Sequence, residues 1–208
     1  MTKQKTSLIH RTFSVPLLCV VLALSTLGVV ACQPIQPVAV AGDPSLVVAQ
    51  QTYANAPVRL AIPAIDMDVA VTPAGWQVIE SSGVRTTEWV TPENSAGWHV
   101  NSAGAGEEGN TIISGHQATG AAVFAPIALE EVVAGQEIVV GDADGTEHRY
   151  TVTEISKPLP IDNASQEESE QVAAYLAPSD TARLTLITGW PAFTTSHRIF
   201  VVAEAVQK

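Results

Sequence analysis

From residue 59 onward, apolar positions recur in short alternating or continuous runs of the length a β-strand buries. Arg59-Leu60-Ala61-Ile62-Pro63 and Asp68-Val69-Ala70-Val71-Thr72 predict two strands around a turn at Pro63 and Asp66. Gln77-Val78-Ile79 adds a short strand, whereas Val84 to Pro92 has no apolar period and reads as an irregular connection. Asn110 to Ser114 is a further strand, running through Gly115 to His116 after a glycine-rich loop at 102–109. Glu137 to Val140 and His148 to Thr153 flank Gly141-Asp142-Ala143-Asp144-Gly145, an Asp-Gly hairpin signal. Leu184 to Thr188 and Arg198 to Val206 are two more β-branched runs, joined through Gly189-Trp190-Pro191. A helical period appears only twice. Val123, Phe124, Ile127 and Leu129 predict one buried face of a short helix. Ser165 to Leu176 predicts a second, with Val172, Tyr175 and Leu176 inward and Glu167, Glu168 and Glu170 outward. Many short strands with tight turns and brief helices predict a mainly β fold, a closed or nearly closed barrel.

The start of the chain follows other rules. Lys3, Lys5 and Arg11 precede a mostly apolar run from Val15 to Ala31. That run is short for a membrane span, which needs about 20 apolar residues, and suits the core of a signal peptide. It ends in Val29-Val30-Ala31-Cys32, which resembles a bacterial lipobox. The resemblance implies cleavage before Cys32 and acylation of its sulfur. Several acyl chains would then hold the protein at the extracytoplasmic face of a membrane, since one chain alone is a marginal anchor. An uncleaved membrane anchor with an incidental Cys32 is the alternative. Residues 33–56, rich in Pro, Ala, Val and Gln, read as a flexible tether, although Ser45 to Val48 can pair as an edge strand. The folded domain is expected over 57–208.

Two consequences follow for chemistry. The chain has two cysteines, Cys19 in the apolar segment and Cys32 at its end, so the mature domain has neither a disulfide nor a free thiol. Residues 1–32 hold three of the ten basic residues and none of the 21 acidic ones, which leaves a formal charge of −14 on the remainder. Such a surface repels nucleic acid and anionic headgroups. His99, His116, His148 and His197 lack a ligand spacing, so no metal site is expected. The Asp142–Gly145 turn and the Glu167, Glu168, Glu170 cluster offer calcium its oxygen ligands, but solvated turn and helix charges account for both. No other cofactor is implied.

The strand ends carry a recognisable set. Thr185-Leu186-Ile187-Thr188-Gly189, His116 after a Ser-Gly turn, and Arg198 opening the next strand together resemble the sortase family. Its members have Thr-Leu-x-Thr-Cys, a histidine and an arginine in these places. Ile62-Pro63-Ala64-Ile65 and Gly97-Trp98 also fit that pattern, and the likeness runs from Arg59 to Val206. It implies a sortase-type closed β-barrel of about eight strands, of the class D, E or F kind. His116 would be the general acid and base, Arg198 the substrate and oxyanion contact, and position 189 the thiol. Thr185, Thr188 and Ser114 would line the peptide site. The partner implied is an extended peptide or sorting signal of a secreted protein.

One position breaks the pattern. Gly189 has no side chain, so no acyl-enzyme can form there. Thr188 is adjacent, but successive side chains of a strand face opposite ways, which turns its hydroxyl from the cleft. Thr195 and Ser196 are the remaining nearby hydroxyls, and Ser196 is the one placed to approach His116. Three readings stay open: a degenerate sortase that binds without transpeptidation, an active cysteine transpeptidase for cell-wall or pilus proteins if Gly189 is engineered or erroneous, and a non-catalytic envelope scaffold.

Overall fold

The computed structural model describes residues 38–39, 46–48, 55–81 and 83–206. The predicted signal segment 1–32 with Cys32, and most of the tether 33–56, lie outside the described residues. Thirteen strands occur among them: β1 Val38–Ala39, β2 Leu46–Val48, β3 Pro57–Ile62, β4 Met67–Ala74, β5 Trp76–Ser81, β6 Val84–Trp89, β7 Ala96–His99, β8 Gly109–Ser114, β9 Glu137–Asp142, β10 Glu147–Ile155, β11 Leu159–Pro160, β12 Ala182–Trp190 and β13 His197–Ala205. Two α-helices accompany them, α1 Ala125–Ala128 and α2 Gln166–Leu176.

Eight strands close on themselves in the order β10-β9-β3-β4-β7-β8-β12-β13, with β13 pairing back to β10. This is the expected barrel. The pairs β4–β7 and β8–β12 are parallel, and the rest of the ring is antiparallel. Alternation sorts the side chains: Leu184 and Leu186 of β12, Ile199 and Val201 of β13, Ile138 and Val140 of β9, and Leu60 and Ile62 of β3 fill the interior. Phe124 and Ile127 join the same core.

The turns form as their residues dictate. Pro63–Ile65 is a single 3-10 turn ended by Asp66 in the left-handed region (φ 53). Gly145, at φ 82, supplies the conformation the β9–β10 hairpin needs. Helix α2 starts one residue later than its predicted first residue, because Ser165 is its cap. The Ser165 hydroxyl accepts from the Glu168 amide, and the Glu168 carboxylate accepts from the Ser165 amide.

Three expectations are corrected. Val84 to Pro92 is not irregular: its first six residues form β6, paired throughout with β5. That hairpin joins β2 through Trp76 and Gln77 in a second sheet of four strands with β1. Leu129 is 53% exposed rather than buried, because α1 ends at Ala128 and Leu129 is its cap. No residue of α2 is fully buried; Val172 and Tyr175 are half-buried and Leu176 is exposed. The helix lies on the outside of the barrel and is held there mainly by polar contacts and one ring stack.

Candidate functional site

The ends of β8 and β12 and the start of β13 meet at one place. Because β8 and β12 run parallel, with Ser114 beside Ile187, their ends leave the sheet in the same direction. The Gly115 amide extends that ladder to the Ile187 carbonyl at 3.1 Å. Gly115 has to be a glycine, since a Cβ there would lie 2.5 Å from the Phe124 ring. His116 follows and is half-buried. Its Nε2 donates to the Thr91 carbonyl at 3.1 Å, which fixes the ring's orientation.

Gly189 on β12 is register partner to Arg198 on β13. Cross-strand partners project from the same face, so Arg198 stands over the space a side chain at 189 would occupy. Arg198 is exposed and makes no side-chain hydrogen bond or ion pair among the described residues. The space beside Gly189 is filled. A Cβ at 189 would collide with Gln117 Nε2 and lie 2.8 Å from both the carbon and the oxygen of the same amide group. Gln117 is 5% exposed, and its Nε2 donates to Thr195 Oγ1 at 2.8 Å and to the Thr194 carbonyl at 3.3 Å. Sequence reasoning passed over Gln117; its only signal was to follow His116 directly.

The other expected contacts have internal duties. Thr185 points outward from β12 but is fully buried, donating to Asn110 Oδ1 at 2.8 Å. Asn110 Nδ2 in turn donates to the Tyr175 and Ala177 carbonyls, which caps the end of α2 against the barrel wall. Thr188 points inward and donates to the Gly115 carbonyl at 2.9 Å. Ser114 is 8% exposed and lies between Thr91 Oγ1 at 3.2 Å and His99 Nε2 at 3.1 Å. The hydroxyls of all three are thus bonded within the fold, in the barrel wall and at the turn that carries His116. The Ser196 hydroxyl pairs with Nδ1 of the neighbouring His197 at 2.8 Å.

Beside the cleft, His99 is stacked on Trp89 with ring centres 4.1 Å apart. Burial holds its pKa down, to about 4, so the ring is neutral at neutral pH. Among the described residues no group of three His, Cys, Asp or Glu side chains could hold a metal ion. The turn carboxylate of Asp142 is occupied by the Asp144 and Thr146 amides and by His148 Nε2.

Residues 60–206 match the family model for the sortase domain. The chain belongs to the sortase family. Among solved structures, it is similar to a lid mutant of sortase A from Corynebacterium diphtheriae, with 25% identity, 73% of this chain and 72% of that one covered, and a TM-score of 0.52. A sortase D5 transpeptidase from Clostridium perfringens matches at 20% identity, over 73% of this chain and 79% of that one, with a TM-score of 0.52. Sortase C1 from Streptococcus agalactiae matches at 19% identity, over 72% and 67%, with a TM-score of 0.50. The last two likenesses speak to the fold alone. No curated protein matches this sequence. Within this sortase fold, His116 follows the end of β8, Gly189 lies at the end of β12 opposite Arg198 at the start of β13, and Gln117 packs against Gly189.

Proposed function

We propose that this sortase-family domain binds an extended, sorting-signal-like peptide beside His116 and Arg198 without cleaving it. The observation that carries the reading is Gly189, opposite the exposed Arg198. A guanidinium held on a strand beside an imidazole suits the carbonyls of an extended chain, and both groups remain. The attacking atom does not remain, so acyl transfer by covalent catalysis has no starting point. Calorimetry of the purified protein against a panel of sorting-signal-like peptides tests this, with mass spectrometry of each mixture. The expected result is saturable binding in the micromolar range, about −8 kcal/mol, with every peptide intact. Absence of binding across the panel overturns the peptide reading, and a covalent peptide adduct overturns the inactive one.

The domain is read as exported and held at the extracytoplasmic face of a bacterial membrane through Cys32. What supports this is the apolar segment ending in Val29-Val30-Ala31-Cys32. Among the described residues no helix is long and apolar enough to cross a membrane. Mass spectrometry of the mature N-terminus is expected to find an acylated Cys32. Cys32→Ala should leave the segment uncleaved, and a Cys32→Ala protein processed like the parent would refute the lipid anchor.

A further inference from the structure

Gln117 is polar, almost fully buried, and belongs to no recognised part of the sortase motif. Its carboxamide takes the volume that a side chain at 189 would need. The assignment of its two polar atoms is fixed by chemistry: the Thr194 carbonyl is purely an acceptor, so the nitrogen must face it. Through that nitrogen, the turn after β8 is tied to residues 194 and 195 of the loop joining β12 to β13. The tie crosses the face of Gly189. The loop has internal bonds of its own, from the Thr194 amide to the Pro191 carbonyl and from the Ser196 amide to the Trp190 carbonyl. From Phe193, which is 85% exposed, to Ser196 its residues are nevertheless exposed, so little apolar packing holds that part.

We infer that Gln117 and Gly189 act as a coupled latch. The absence of a side chain at 189 lets the carboxamide in, and the carboxamide holds the 191–196 loop at the end of the cleft beside Arg198. The loop leads directly into His197 and Arg198, whose backbone β12 and β11 hold, so the latch shapes the edge of the space beside the guanidinium. Gln117 is thus a positioning residue for the peptide site, an inference that rests on the peptide-binding reading for its purpose but not for its test. A side chain at 189 and the carboxamide of Gln117 compete for one space.

The test needs no peptide. Amide hydrogen exchange is measured on the full chain and on Gln117→Ala, Gly189→Ala and the double variant. Each single change removes the same tie, one by deletion and the other by crowding the amide out. Exchange at Thr194 and Ser196 is expected to quicken about tenfold in each single variant, while β8, β12 and β13 stay protected. The double variant should be no faster than either single one, the signature of one shared interaction. Gln117→Glu, which keeps the volume but sets an acceptor against the Thr194 carbonyl, should match Gln117→Ala and serves if the alanine variant folds poorly. Unchanged exchange in the Gln117 variants, no response to Gly189→Ala, effects that multiply in the double variant, or faster exchange spread over the whole barrel each overturns the latch. If the latch holds but no peptide binds, the functional reading fails and the latch stands.

Discussion

Gly189→Cys combined with Gln117→Ala is expected to turn a protein with no reactive thiol in its domain into one that forms a covalent acyl adduct. The new sulfur would sit at the end of β12, on the face shared with Arg198. A neighbouring cation favours the thiolate, which is the nucleophilic form. Where covalent catalysis is available, removing the nucleophile costs about 10⁶ in rate, so regaining it should be visible above any background. Gly189→Cys alone should do much less. Its Cβ collides with Gln117 Nε2, and the displaced amide loses both its bonds. A loss of about 1–3 kcal/mol in stability is expected for that single variant, most of it recovered when Gln117 is shortened to alanine. Intact mass after incubation with bound peptide, and iodoacetamide labelling across pH, read the two effects. If the thiol introduced by Gly189→Cys labels no faster than free cysteine and never acquires an acyl group, the cleft has lost more than its sulfur.

The second large effect is a pH dependence of stability centred on His99. Its pKa is about 4 in the folded protein, because the ring is buried against Trp89, and about 6.5 unfolded. Above pH 6.5 neither state carries the proton. As pH falls from there toward 4, the unfolded chain takes up a proton that the folded one refuses, so stability declines through this window and levels off below it. The full difference is about 3 kcal/mol. Urea titrations at about pH 7, 5.5 and 4 should show this loss in the parent protein. His99→Phe keeps a flat ring against Trp89 and cannot titrate, so its decline should be shallower by about that amount. Equal slopes for the two proteins would show that His99 is not the group responsible.

Most of the barrel strands were legible because they have an inner face to bury, although the short β7 was not marked as one and their order in the ring was not read. The runs around Leu60, Ile113, Val140, Leu186 and Val201 stand out for that reason. Strand β6 has no such face: Arg85, Thr86, Thr87 and Glu88 are all exposed, so no alternation marks it. Its remaining signal was Gly83 at the tip, with Ser81 pairing Val84 around it. Leu129 failed differently, since a helical period was extrapolated one residue past the last helical turn.

At the site, the family pattern pointed to His116, Gly189 and Arg198, but said nothing of what packs around them. Thr185 lies on the outward face, as alternation says, yet the end of α2 covers it. Ser114 is likewise covered, by His99 and Thr91. Which outward positions stay open depends on elements laid over the barrel, and no local period records that. Gln117 was invisible because its partner space belongs to a residue 72 positions away.

Strand β13 is the seam of the ring: it pairs with β12 along one edge and with β10 along the other. It also bears Arg198. At that end its second edge pairs with β11 instead, Leu159 lying beside Arg198, so the arginine is flanked by β12 on one side and β11 on the other. One strand thus does two jobs along its length: residues 201–205 close the ring against β10, and the stretch that leaves β10 for β11 carries Arg198.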